Sequence, residues 1–162
     1  MTPRPIEPDD VPEVLEMIRE LADYERALSE VRASEADLHA SLFCEKPAVF
    51  GHVVPAGDGE PHRLSGFALW FLTYSTWLGR HGLYLEDLYV RPKYRARGHG
   101  LALMRRLAAI CDERGYGRFE WAVLDWNEPA LRFYRKLGAE PMSEWTVQRM
   151  TGNALTSLAG KR

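Results

Sequence analysis

The stretch from Leu83 to Cys111 constrains this chain more than any other. An apolar run, Leu83-Tyr84-Leu85 and then Leu88-Tyr89-Val90, is interrupted in its middle by two acids, Glu86 and Asp87. A short loop follows, Arg91 to His99, with Arg91, Lys93, Arg95, Arg97 and, when protonated, His99 as cations. Leu103, Leu107, Ile110 and Cys111 then recur at helical spacing, so a helix is expected to start near Gly98 or Gly100. A strand, a basic glycine-bearing loop and a helix N-terminus together make an anion site. The first helical N–H groups have no partner within the helix and sit at the positive end of its dipole. Gly98 and Gly100 let the backbone approach a bulky anion closely.

The spacing Arg95-x-x-Gly98-x-Gly100 narrows the choice of anion. It is not a Walker A loop, because no Gly-Lys-Ser/Thr follows. A dinucleotide fingerprint would need a small residue at position 103, which is Leu. Taken alone, the two glycines fit a solvated turn equally well.

Set after an apolar strand, Tyr94-Arg95-Ala96-Arg97-Gly98-His99-Gly100 resembles the acetyl-CoA pyrophosphate loop of the GNAT N-acetyltransferases. The resemblance runs from about residue 4 to 150. Glu20-Leu-Ala-Asp-Tyr-Glu25, Tyr74-Ser-Thr-Trp77, Tyr84-Leu-Glu-Asp87, Asp125-Trp-Asn-Glu-Pro129 and Phe133-Tyr134 look like the diamine (spermidine/spermine) branch. Ser75-Thr76-Trp77 and Val123-Leu-Asp-Trp-Asn127 look more like its thialysine acetyltransferase relatives.

The resemblance implies a GNAT fold, a central mixed and mostly antiparallel sheet flanked by helices, over residues 1–150, with 151–162 as a tail. It implies acetyl-CoA as co-substrate and direct attack by a small cationic amine in a ternary complex. Glu86 is then the base, working through water, and Tyr134 the acid beside the CoA sulfur. Acetyl-CoA is expected along Leu88, Tyr89 and Val90, on Arg95, Ala96, Arg97, Gly98, His99, Gly100 and Leu101, and at Asn127, Pro129, Ala130 and Tyr134. The backbone of Leu88 and Val90 would pair with pantetheine amides like an added strand. Tyr24, Glu25, Ser75, Thr76, Trp77, Glu86, Asp87, Leu124 and Asp125 are expected around the amine. Ser75 stands where polyamine acetyltransferases carry Asp, which turns the expectation from spermidine and spermine toward a short diamine or a lysine-like amino acid. The loop from Gly138 to Trp145 is shorter than the family's, so Glu144 is given no role. A homodimer is implied, with substrate residues drawn from both chains. Acetylation of a protein N-terminus or lysine, or a non-catalytic acyl-CoA-binding module, are the alternatives.

The chemistry of the residues agrees with this reading. An alkylammonium has a pKa of about 10.4, so on the order of one molecule in a thousand is free amine at pH 7. Acetyl transfer therefore needs a proton acceptor and a donor for the departing thiolate. By strand alternation, Glu86 and Asp87 are expected on opposite faces, with one of them at the working face. Tyr134 lies two helical turns after Asn127, on the same helix face.

Charge is distributed unevenly although the net charge is only −2. Residues 1–40 hold 11 Asp/Glu against 4 Arg, and residues 91–118 hold 8 Arg/Lys against 2 acids. An acidic lobe suits a cationic substrate and a basic one a phosphorylated cofactor. For residues 7–16, acids complementing a helix dipole explain the pattern equally well. The basic stretch is too short to suggest nucleic acid. His39, His52, His62, His81 and His99 are scattered, and no metal site is expected. No apolar run is long enough for a membrane span, and no leader pattern opens the chain. A cytoplasmic protein with reduced Cys44 and Cys111 is expected.

Read in order, the chain predicts a strand over Thr2–Ile6, then a helix capped at Asp9 or Asp10 with an apolar face from Val11 to Ala22. Ser34-x-x-Asp37 predicts a capping box for a second helix ending near Phe43. Strands follow over Val49–Val54, Leu64–Tyr74 and Leu83–Val90, with a loop tip at Ser75–Gly82. The next helix should close on Gly115 and precede a strand over Phe119–Leu124. A helix capped by Asn127 and closed by Gly138, and a last strand over Trp145–Met150, complete the expected α/β fold.

Overall fold

The computed structural model describes residues 2–160. They divide into two compact units, with the boundary between Ala122 and Val123. The first unit holds β1 (Arg4–Pro5), α1 (Val11–Tyr24), α2 (Glu35–Leu42), β2 (Val49–Pro55), β3 (Leu64–Ser75), β4 (Arg80–Val90), α3 (His99–Arg114) and β5 (Phe119–Trp121). The second holds α4 (Glu128–Lys136) and α5 (Gly152–Leu158).

The sheet of the first unit has the order β1-β2-β3-β4-β5. Every pairing is antiparallel except β4 with β5, which is parallel. The expected mixed, mostly antiparallel sheet is therefore present. β3 is its centre, and its first seven residues are all buried, as an apolar run with few charges predicts.

In the first unit, α1 and α3 cover the sheet with the faces that their sequences marked. Val11, Val14, Leu15 and Met17 of α1 are buried, and Val14 and Met17 join Leu42, Val53, Leu64, Phe67, Leu69 and Tyr89 in one core cluster. Alternation sends Ala68 and Trp70 to the other face of β3. There Trp70 Nε1 donates to His52 Nδ1 at 3.2 Å. Burial, with Arg106 and Arg114 of α3 nearby, pushes His52 down to about 4. α3 contributes Leu103, Met104, Leu107 and Ile110 to the interior.

Local signals set the helix ends. Ser34 accepts from the Asp37 N–H while Asp37 accepts from the Ser34 N–H, the predicted capping box. Gly115 closes α3 in the left-handed region at φ 66°. Asp10 stands at the N-cap of α1, as expected, but its side chain makes no cap hydrogen bond to that helix. It is buried and accepts from Arg4 at 2.6 and 2.9 Å and from the Glu7 N–H at 2.9 Å, tying β1 to the start of α1.

Two strands depart from the sequence reading. β5 stops at Trp121 rather than Leu124. Residues 145–150 form no strand, although Trp145 and Val147 alternate with Thr146 and Gln148. Both expectations rested on apolar content, and a strand also needs a neighbour to satisfy its backbone. Among the described residues no helix is long and apolar enough to cross a membrane.

Candidate active site

β4 changes character at Glu86. Leu69 of β3 pairs with Asp87 and Trp70 pairs with Leu85, so Glu86 is an extra residue without a partner in β3, a β-bulge. On the other side, β5 pairs with β4 only at Leu83, Tyr84 and Leu85. Beyond Leu85 no strand among the described residues lies beside the outer edge of β4. The Arg91 N–H donates to Ser65 O at 3.0 Å, so by antiparallel alternation the backbone groups of Tyr89 face β3. Those of Leu88 and Val90 face the open edge, the orientation that an added strand requires.

The bulge also overturns simple alternation for the two acids, because two residues there oppose one. Glu86 is exposed and Asp87 half-buried. Burial, then the charges of Glu86 and Glu25, pushes Asp87 up to about 6. Burial likewise raises Glu25, which caps the end of α1. The first unit thus brings Glu25, Glu86 and Asp87 together, with Tyr24 at the same helix end. Arg26, just beyond, holds a left-handed φ of 61°, which turns the chain sharply after the helix.

The cations of the Arg91–His99 loop are mostly engaged within the protein. Arg91 is buried. Its guanidinium meets Glu13, Glu16 at 2.7 Å and Glu20 at 3.0 Å, and also donates to Leu64 O. This adds to both readings of the acidic lobe. Glu13, in the first turn of α1, and Glu16 both pair with a buried arginine, a partner that neither reading included. Lys93 pairs with Glu60, and Arg97 lies 3.6 Å from the same carboxylate. Arg95 Nε donates to Val90 O at 2.9 Å.

His99 is not a loop cation either. It is buried with its ring stacked on Tyr94, and burial first, then Arg97, lowers its pKa. Ser65 Oγ donates to Val54 O, so it receives the His99 Nδ1–H and fixes a neutral tautomer. His99 Nε2 is buried with no hydrogen-bond partner. What His99 offers outward is its backbone N–H.

The turn into α3 is built for that backbone. Ala96 adopts φ 60° and Gly98 φ 86°, ψ 0°. A side chain at Gly98 would have space but would have to adopt the left-handed region. The Ala102 N–H donates to Gly98 O, which leaves the N–H groups of His99, Gly100 and Leu101 without carbonyls inside the helix.

Ser75, Thr76 and Trp77 are not brought to this place. Ser75 pairs with Arg80, and its hydroxyl accepts from the Leu78 N–H at 3.2 Å, closing the β3–β4 turn. Trp77 stands 89% exposed at that tip. At about 3.3 Å per residue, Glu86 lies about 20 Å farther along β4 than Arg80.

In the second unit, Asn127 Oδ1 accepts from the Ala130 N–H at 3.3 Å, the expected cap, with Pro129 in the first turn. Tyr134 lies on α4 with its ring 5.4 Å from that of Phe133. Leu124 is exposed in the segment that leads to Asp125 and the cap.

Sequence reasoning missed Arg91, the Ser65–His99 pair and the engagement of Arg95. For Arg91 one signal existed: Glu13, Glu16 and Glu20 recur three and four apart, along one face of α1.

A profile of the Acetyltransferase (GNAT) family matches residues 14–139. The thialysine N-epsilon-acetyltransferase of Sus scrofa is 41% identical, over 94% of this chain and 93% of that protein. An L-ornithine N5-acetyltransferase of Arabidopsis thaliana is 30% identical, over 93% and 84%. An integron cassette protein from the mobile metagenome of V. cholerae superposes with a TM-score of 0.76 at 28% identity, over 97% and 96%.

Proposed function

Because the chain belongs to the GNAT family of acetyltransferases, we propose that it moves an acetyl group from acetyl-CoA to a primary amine of a small cationic molecule. A thialysine- or lysine-like amino acid or a short diamine fits best. One observation carries the reading: the bulge at Glu86 sets a desolvated carboxyl, Asp87, beside an open strand edge that leads into a helix N-terminus. The two relatives named above are amino-acid amine acetyltransferases by their own names.

Acetyl-CoA supplies an activated thioester. The edge at Leu88 and Val90 pairs with amides of its pantetheine arm. The N–H groups of His99, Gly100 and Leu101, with the Arg97 side chain, face its phosphates. Asp87 and Glu25 hold the ammonium, since a carboxylate that is desolvated and surrounded by like charge gains most from a cation. Glu86 is exposed to solvent and takes the proton through water as the N–C bond forms. Tyr134 gives a proton to sulfur as the C–S bond breaks. The parts given to Tyr134, Asn127, Pro129, Ala130, Leu124 and Asp125 rest on the family resemblance.

The hairpin tip fits this scheme in a homodimer, where Ser75, Thr76 and Trp77 of one copy line the amine pocket of the other. The distance along β4 favours that arrangement over one within a single chain. Mixing Glu86→Gln with Trp77→Ala protein should then restore turnover that neither has alone.

The direct test is thiol release from acetyl-CoA over a panel of thialysine, lysine, ornithine, putrescine, spermidine and N-terminal peptides. Turnover on an amino acid or short diamine is expected. Glu86→Gln should reduce kcat by about 10²- to 10⁴-fold while acetyl-CoA still binds. Acetyl-CoA binding with no small amine turned over refutes the substrate assignment.

A further inference from the structure

Arg95 opens the glycine-loop motif, yet its side chain lies on two tyrosines. The guanidinium carbon is 5.5 Å from the ring centroid of Tyr24 and 5.6 Å from that of Tyr89, within cation–π range on both. Its Nε is fixed by Val90 O at 2.9 Å, and its backbone N–H donates to Pro92 O. Tyr89 is itself buried and hydrogen-bonded to Glu20 of α1.

Tyr24 is the last residue of α1, and Glu25 caps that end. The last turn of α1 carries no basic residue, so Arg95 brings a cation from a distant loop to the negative end of the helix dipole. One side chain therefore joins the loop that leads to α3 with the helix end that presents Glu25 to Asp87.

We propose that Arg95 is a positioning residue for the amine: laid over Tyr24 and Tyr89, it fixes the end of α1 so that Glu25 faces Asp87. This deepens the function proposed above and rests on Glu25 and Asp87 holding the ammonium. It differs from a phosphate contact, which would act on acetyl-CoA. Arginine suits the task because its flat guanidinium stacks on a ring while Nε still donates to a carbonyl.

The test is steady-state kinetics in both substrates on Arg95→Gln, Tyr24→Leu, Tyr24→Phe and the double variant Arg95→Gln/Tyr24→Leu. Arg95→Gln and Tyr24→Leu should each raise the amine KM by about fivefold and leave kcat and the acetyl-CoA KM within about twofold. The double variant should resemble either single one, because both break one contact. Tyr24→Phe keeps the ring and should raise the amine KM less than Tyr24→Leu does. A rise in the acetyl-CoA KM alone, or effects that multiply, overturns the proposal. A second readout needs no substrate. The Glu25, Arg26 and Ala27 amides donate to Leu21, Asp23 and Ala22 carbonyls. Their hydrogen exchange should quicken in Arg95→Gln, and unchanged exchange overturns the proposal. If no amine is turned over but exchange quickens, the substrate assignment has failed and the role of Arg95 in holding the helix end has not.

Discussion

Acids of α1 and β4 fall into two groups with opposite surroundings. Glu13, Glu16 and Glu20 converge on the buried guanidinium of Arg91. Glu25, Glu86 and Asp87 meet at the end of the same helix, and no salt bridge joins any of them among the described residues. Every influence on Asp87 favours its neutral form. The first group is an internal ion network that fastens α1 to the end of β4. In the second, burial acts on Glu25 and Asp87 while Glu86 stays exposed, and the function proposed above gives this group a cationic substrate as partner. Residue type does not separate the groups; the position of one arginine does.

The largest effect is expected from removing that arginine. Arg91→Met strands three carboxylates around a buried, apolar side chain and should destabilise the fold by about 3–5 kcal/mol, read by urea denaturation. Glu25, Glu86 and Asp87 should not reproduce this. Their neutral variants should leave stability unchanged or raise it.

Asp87→Asn sharpens the contrast through pH. The folded-state pKa of Asp87 is raised, so between about 4 and 6 the folded state holds more protons than the unfolded one. Its contribution to stability is therefore lost as pH rises through that window. Activity should run the other way, because the ionised carboxylate holds the ammonium, and kcat/KM should climb with an apparent pKa near 6. Asp87→Asn should abolish both trends. The comparison must be the difference between wild type and variant. His52, pushed down to about 4, loses its own contribution as pH falls through the same range.

The smallest effect should come from Glu16→Gln. Glu16 is 59% exposed although it touches Arg91, so solvent screens it and its loss should cost at most about 1 kcal/mol. A larger loss would show that the network acts as a unit.

Much of this architecture was legible in the sequence because its causes are local. The Ser34 capping box, the Asn127 cap and the left-handed glycines at 98, 115 and 138 each depend on residues within one turn. The apolar faces of α1 and α3 follow from helical periodicity. The carboxylates of the candidate site were visible as acids interrupting an apolar strand. Their arrangement was not, since alternation assumes a regular strand and Glu86 sits in a bulge. Cations were over-counted for a similar reason. A string of Arg, Lys and His reads as a basic loop, but the partners of Arg91 lie 71 to 78 residues away.

The sequence by itself determined which residue types were available, where helices begin and end, and which faces are apolar. Hydrogen bonding and periodicity act over a few residues, so they can be read along the chain. Only the tertiary structure decided that β5 leaves β4 at Leu85, that His99 turns inward to Ser65, and that the hairpin tip stands far from Glu86. It also decided that Arg91 pairs with one set of acids, while no salt bridge joins the other among the described residues. Those outcomes depend on which surfaces meet and how completely water is excluded between them, and packing alone fixes that.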